Sequence, residues 1–382
     1  MTRRVVVTGI GIITPLDGGR GIEEFWRGAT SGTDAIRTVE RFDTSGYICH
    51  TAGAVEGNEE GAGPLRWHRF LECALNDAVK DARVDPATVD GLFLGTVLGG
   101  ILTAQAAWRG GAAPGEQYHL YSGARALARG FGINAPVTTV STACASGTDA
   151  IGIACRRIMW GSADVMVAGG SDTLSEFAFS GFNSLKALTR TKARPFDRTR
   201  DGLVLGEGAC FLVLEEERRA QKRGARVYGS VLGYSSVSDG RHLTAPDRNG
   251  EGLAAAITGA MKEAGLRKVC YINAHGTGTV YNDAMETRAV KLAFGKDAYS
   301  TPMSSIKSMI GHSFGAGGAI EAATCLLAMR DGVMPPTINY TEPDPDCDLD
   351  CIPNKARAST VKTAISLSAG FGGQNSAIVF GA

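Results

Sequence analysis

The chain has no excess of either charge: 39 basic residues balance 39 acidic ones over 382 positions. That balance argues against a nucleic-acid binder working through bulk charge, and leaves only local basic patches. Long hydrophobic runs are missing, so nothing approaches the ~20 apolar residues of a membrane span. The opening Met1-Thr-Arg-Arg-Val-Val-Val-Thr-Gly has too short an apolar core for a secretory signal and reads as a first strand. No proline- or serine-rich stretch separates one region from another. The nine cysteines are odd in number and scattered, which excludes a simple disulfide framework and fits free thiols in a reducing cytoplasm. Cys347 and Cys351 lack a second Cys/His pair and read as loop thiols, so no metal site is predicted.

Glycine, by contrast, is abundant at 51 residues, and apolar residues make up 44% of the chain. The first points to tight turns and close backbone contacts; the second suffices for a large core. The length fits two fused halves of ~150–200 residues. Short β-rich apolar runs alternate with longer helical stretches, the pattern of an α/β protein with layered helices. Strands are predicted at 4–7, 91–94, 138–140, 165–168, 210–214, 227–234, 270–273, 302–304, 363–368 and 377–380. Helices are predicted over 66–82, 146–161, 253–264, 283–294 and 316–330.

The two parts of the chain echo each other. Each opens with a strand, at 5–11 and at 227–236. Each has a strand running into glycines, Leu92-Phe-Leu-Gly-Thr in one and Tyr271-Ile-Asn-Ala-His-Gly-Thr in the other. Each then turns through small residues into an alanine-rich helix, at Ala143-Cys-Ala-Ser-Gly and at His312-Ser-Phe-Gly-Ala. A spacing of about 190 residues predicts a duplicated fold rather than a short-repeat solenoid. The halves, 1–225 and 226–382, meet near Arg223–Arg226. Equivalent turns would face each other across a pseudo-twofold axis and bring Cys144 and His312 into one site.

Cys144 lies where a strand passes through small residues into a helix. A thiol at a helix N-terminus gains thiolate character, and the N–H groups of such a turn can hold an oxyanion. A buried, inert thiol is the alternative, and is the reading for the other eight cysteines. His275 follows a strand; Gly276 and Gly278 let a ligand approach the backbone, and Thr277 and Thr279 offer hydroxyls. His312 ends Lys307-Ser-Met-Ile-Gly-His before a glycine-rich helix start. Either histidine alone could be a satisfied core residue, and Lys307 and Glu321 alone could be surface charges. A candidate nucleophile with two histidines in glycine-rich turns is harder to explain by packing. Gly370-Phe-Gly-Gly encloses one aromatic, Phe371, with the hinge freedom of a gate.

These segments, with Ser141-Thr-Ala-Cys, Arg194-Pro-Phe-Asp-Arg and Asp201-Gly-Leu-Val-Leu-Gly-Glu-Gly, occur in order over essentially the whole chain. Together they make a sequence that resembles the β-ketoacyl-acyl carrier protein synthases, in the elongating, type II-like branch of the thiolase superfamily. The resemblance implies a thiolase-like, duplicated five-layer αβαβα fold and a cytoplasmic acyltransferase. It implies that Cys144 carries an acyl chain and that the N–H groups of Cys144 and Phe371 hold the oxyanion. His275 and His312 would donate hydrogen bonds to a malonyl thioester as it loses carbon dioxide. Lys307 would support the site and orient His312, with Glu321 compensating its charge. Thr277, Thr279 and Thr244 would bind the pantetheine arm, and Phe371 would gate the site. No metal and no cofactor is implied beyond the phosphopantetheine borne by an acyl carrier protein. The implied partners are that carrier, its acyl and malonyl thioesters, and a second subunit, in a homodimer or in a heterodimer with a related ketosynthase-like chain. Arg66 and Arg69 fall where the family often places carrier contacts; Lys186, Arg190, Lys192 and Arg194 form another basic run.

The chain departs from the family pattern at Ala369 (commonly Phe), Gln374 (commonly Thr), Val280 (commonly Pro) and His68 (commonly acidic). The stretch from Gly95 to Arg125, which lines the acyl pocket in the family, is short. These departures bear on chain length and gating, and predict a specialised synthase for a polyketide or polyene pathway rather than housekeeping fatty acid synthesis. The main rival is a chain-length-determining or partner-dependent subunit; its non-catalytic form usually lacks the nucleophile, which Cys144 supplies here. A degradative thiolase would use a second cysteine as base where His312 stands. Gly9-Ile-Gly-Ile-Ile-Thr hints at a dinucleotide fingerprint, but its third glycine is missing and Pro15 blocks the helix entry.

Overall fold

The computed structural model describes residues 3–16, 18–56 and 63–382. Ten strands form one mixed sheet. They are β1 (Val5–Ile13), β2 (Leu92–Gly95), β3 (Val137–Val140), β4 (Val165–Asp172), β5 (Gly208–Glu216), β6 (Gly229–Ser238), β7 (Tyr271–Asn273), β8 (Met303–Ser304), β9 (Thr363–Gly370) and β10 (Gln374–Gly381). Their order, β8-β7-β9-β10-β6-β1-β5-β4-β2-β3, is one five-strand pattern repeated about the β1–β6 junction. From the junction outwards each half is antiparallel, antiparallel, parallel, parallel. The junction is antiparallel, with Val5 opposite Val231 and Val7 opposite Gly229.

The helices that frame the site are α1 (Arg66–Ala82), α2 (Leu120–Phe131), α3 (Ser146–Met159), α4 (Glu251–Ala264), α5 (Val280–Phe294) and α6 (Gly317–Asp331). The first two cover the outer face of the first half, and α4 with α5 covers that of the second. Between the halves, α3 packs on β4 and β2, α6 packs on β9 and β7, and the two helices pack on each other. The result is the five-layer, thiolase-like arrangement implied by the motifs.

Layer position explains helix composition. In α1 the buried residues Trp67, Phe70, Leu71, Ala74, Leu75 and Ala78 recur at helical spacing, while Arg69 faces outwards. In α6 every residue from Gly317 to Met329 is buried, as expected of a helix enclosed on all sides. Burying Ile320, Leu326 or Leu327 there contributes roughly 1.5–3 kcal/mol each. Small residues let the two central helices touch: a Cβ at Gly318 would meet Thr148 Oγ1 at 2.1 Å.

The first strand runs six residues further than the 4–7 reading, to Ile13. Gly9 and Gly11 lie within it because α1 crosses closely; a Cβ at Gly11 would meet the Ala74 carbonyl oxygen at 1.9 Å. The Gly-x-Gly is thus a packing device rather than a phosphate loop. Among the described residues, all nine cysteines are free thiols and no helix is long and apolar enough to cross a membrane.

Candidate active site

After β3 a single 3₁₀ turn, Ala143–Ala145, leads into α3. Ala143 adopts φ 51°, a conformation unfavourable for a residue with a side chain. Local bonds hold it there. The Thr142 N–H donates to Ser146 Oγ (2.9 Å), and the Ser146 hydroxyl donates to the Ala143 carbonyl (2.5 Å). The Thr142 hydroxyl donates to Asp149 at 2.6 Å. Asp149 also accepts from the hydroxyls of Tyr234 (2.9 Å) and Ser376, both in the second half. The elbow that presents Cys144 is therefore pinned across the middle of the molecule.

The second half supplies the histidines. The loop after β7 is fixed by Glu286 of α5, which accepts from the N–H groups of His275 (2.6 Å) and Gly276 (2.8 Å). His312 lies between the short helix Lys307–Ile310 and the turn Phe314–Ala316. Its Nε2 is 3.0 Å from Cys144 Sγ, and its ring is 5.3 Å from that of His275. The donor atoms of Cys144, His275 and His312 all lie within 4.8 Å of one another. Lys307 pairs with Glu321, and its Nζ lies 3.4 Å from His275 Nδ1. The expectation that Lys307 orients His312 is thus corrected: it reaches His275, while the His312 ring turns to Cys144 and stacks on Phe314.

Burial dominates the electrostatics. It pushes the Cys144 thiol up to about 11, against Lys307 and the backbone N–H groups of Phe371 and Cys144. Burial, reinforced by the Lys307 charge, holds both histidines well below the usual range. It raises Glu321 to about 7 and Glu286 to about 8. An uncharged imidazole hydrogen-bonded to an uncharged thiol can take the thiol proton as sulfur attacks a carbonyl. The Phe371 and Cys144 N–H groups that face the sulfur can receive the developing oxyanion.

Cys144, His275 and His312 line a pocket of about 330 Å³ shared with Thr244, Thr277, Thr279, Ala369 and Phe371. The Phe371 ring stacks on Phe182 at 5.5 Å. Lys186 also lines this pocket. Arg66 does not belong to a docking face. It is buried, bonded to Glu207 at 2.7 and 3.2 Å and to the Val55 carbonyl at 2.6 Å. Arg69 remains exposed. Sequence reasoning missed Asp149, Glu286 and Phe182. Asp149 and Glu286 carried a signal: a carboxylate within a run of small or apolar helical residues needs a buried partner.

A nucleophilic thiol, two uncharged imidazoles and convergent N–H groups at one pocket define an acyltransferase of the thiolase-like class. Comparison with known proteins gives the family. Residues 2–220 match the family described as "Beta-ketoacyl synthase, N-terminal domain" and residues 228–341 that described as "Beta-ketoacyl synthase, C-terminal domain". The chain belongs to the β-ketoacyl synthase family. It is 42% identical to the tetracenomycin polyketide synthase ketoacyl synthase alpha subunit of Streptomyces glaucescens, over 99% of this chain and 96% of the relative. It is 38% identical to 3-oxoacyl-[acyl-carrier-protein] synthase 2 of Synechocystis sp., over 99% and 98%. Among solved structures, the ishigamide ketosynthase/chain length factor superposes with TM-score 0.92 at 34% identity, covering 100% of this chain and 99% of that one. A type II polyketide synthase acyl-carrier protein in complex with its ketosynthase bound to the hexaketide gives TM-score 0.90 at 33% identity, covering 100% of both chains.

Proposed function

We propose that this chain elongates acyl chains by decarboxylative condensation on Cys144. The observation that carries this reading is the convergence of Cys144, His275 and His312 within 4.8 Å at one pocket. An acyl thioester, borne on the phosphopantetheine of an acyl carrier protein, enters along Thr244, Thr277 and Thr279. Cys144 Sγ attacks its carbonyl; the oxyanion rests on the N–H groups of Cys144 and Phe371. His312 takes the thiol proton and returns it to the departing pantetheine sulfur. Malonyl-carrier then enters and loses carbon dioxide. The electron pair left behind forms an enolate, whose oxygen receives a hydrogen bond from His275 and, once the His312 ring has exchanged its proton to Nε2, one from His312. The enolate carbon attacks the acyl–Cys144 carbonyl, the C–S bond breaks, and the released thiolate takes a proton from solvent. The product is a β-ketoacyl-carrier thioester.

In this scheme Lys307, paired with Glu321, holds His275 uncharged, and Phe371 swings off Phe182 to open the site. The scheme requires neither a metal nor a further cofactor. Arg69, and separately the run Lys186, Arg190 and Lys192, are the candidate contacts for the acidic carrier; each chain, divided into halves at 225/226, would act in a cytoplasmic dimer. A polyketide or polyene pathway fits Ala369, which leaves room where an aromatic is common. A second reading, the partner-dependent half of a ketosynthase heterodimer, draws on the likeness to the ketosynthase/chain length factor structure.

The test is intact mass spectrometry after exposure to a panel of acyl-carrier thioesters, followed by a malonyl-carrier chase. An acyl adduct absent from Cys144→Ala and cleared into a β-ketoacyl product is expected. No adduct with any donor on folded protein would favour the second reading.

A further inference from the structure

We propose that the Cys144–His275–His312 cluster also binds one thiophilic divalent cation, of the Zn²⁺ kind, and that occupancy reversibly blocks the nucleophile. One sulfur and two imidazole nitrogens lie within 4.8 Å of one another, with Sγ and His312 Nε2 at 3.0 Å. Tetrahedral zinc, with Zn–S ~2.3 Å and Zn–N ~2.0–2.1 Å, places such donors roughly 3.3–3.6 Å apart. The cluster brackets that geometry, with one pair at 3.0 Å and every pair within 4.8 Å.

The donors are also held in advance. The Cys144 elbow is tied by Ser146 and Asp149, and the His275 loop by Glu286. Lys307 Nζ lies 3.4 Å from His275 Nδ1, which leaves Nε2 for the cluster; ligation through Nε2 moves the ring proton to Nδ1 and turns the Lys307 ammonium fully onto Glu321. Lys307 is the nearby charge opposing a cation, and Glu321 engages it. Three protein donors, with a fourth position open to the pocket, match exchangeable zinc sites rather than closed structural ones. On binding, the Cys144 S–H bond breaks, its proton passes to solvent and a sulfur–metal bond forms; nothing is oxidised or reduced. The sulfur lone pair is then unavailable for attack.

Binding needs only the three donors and does not rest on the condensing reading. The probe is Co²⁺, titrated into the reduced full-length protein without competing thiols. One equivalent per chain should produce thiolate-to-cobalt absorption and the visible bands of four-coordinate Co²⁺, and Zn²⁺ should erase them. Cys144→Ala should abolish the spectrum, as should His275→Gln, the second variant being checked for native fold by circular dichroism. Saturating Zn²⁺ should slow iodoacetamide labelling of Cys144 by about tenfold or more, reversed by EDTA. Bands that persist in Cys144→Ala, no bands in the wild type, or unchanged labelling under Zn²⁺ would each overturn the proposal. No readout involves condensation, so failure here and failure of the condensing reading are distinguishable.

Discussion

The two turns that open the central helices are built alike and used differently. Ala143 and Phe314 both adopt φ 51°, each starting a 3₁₀ turn that continues into α3 or α6. After Ala143 comes Cys144, whose N–H faces its own sulfur together with that of Phe371. After Phe314 comes Gly315, whose N–H is already spent on Asp172 at 2.7 Å. Asp172 ends β4 as Gly370 ends β9. Its carboxylate also accepts from the N–H groups of Val97 (2.9 Å) and Leu98 (2.8 Å) and from the Thr96 hydroxyl (2.8 Å). A Cβ at Gly315 would meet Asp172 Oδ2 and Thr96 Cα, both at 2.8 Å, so no nucleophile fits there. The duplicated fold thus makes two anion-accepting turns. One is filled by the chain's own carboxylate, and one is left for chemistry.

The sharpest way to break this comparison is to exchange the two losses. Cys144→Ala should abolish the acyl adduct and condensation while shifting stability by less than ~1 kcal/mol, because the thiol already borders the pocket and its loss opens little new cavity. Chemical denaturation and intact mass on the same sample check both. The next largest effect lies at Glu207, just before β5, where the matching residue before β10 is Gly373. Burial alone would raise Glu207, but hydrogen bonds and charge from Arg41, and then Arg66, hold it at about 2. Glu207→Gln removes the buried carboxylate that Arg41 and Arg66 share and should cost about 3–5 kcal/mol. The folded value lies below the unfolded ~4.3. Its stabilisation is therefore complete above that pH and is lost as pH falls towards 2. Acid unfolding curves should lose this component in the variant. Smaller again is Gly315→Ala, expected to destabilise by ~1–3 kcal/mol through overpacking against Asp172 and Thr96. A Gly315→Ala protein as stable as the wild type would mean that the second turn is not closed.

What the sequence showed, and what it hid, follows the same division. The strand–helix alternation, the two halves and the glycine-flanked cysteine and histidines are written in local pattern, and the fold repeats them. The buried polar struts are not. Arg66 opens a helix and looks like a surface charge, yet Glu207, 141 positions away, draws it inside. Asp149 finds its partners at Tyr234 and Ser376, and Lys307 turns to His275 rather than His312. Such choices depend on which turn faces which across the sheet, and local periodicity does not encode that. The Cys144 thiol divides along the same line: a helix terminus is visible in sequence, whereas the burial that pushes the thiol up is not.

The finest test lies at that thiol. Burial raises the Cys144 thiol and Lys307 lowers it, while Glu321 raises it. Lys307→Met should therefore move the pH midpoint of iodoacetamide labelling at Cys144 upwards, and Glu321→Gln should move it downwards. Lys307→Arg, which keeps the charge, should restore the wild-type direction. Loosened packing would shift both variants the same way, so opposite signs separate electrostatics from structural damage. Cys270 provides a reference in the same digest. Bonds from Thr363 outweigh its burial and hold its thiol below the usual range, so it should label at lower pH than Cys144 in every variant. If Cys144 labels as readily as Cys270 in the wild type, then the pocket does not desolvate its nucleophile. The helix terminus would then govern the thiol, as the sequence alone suggested.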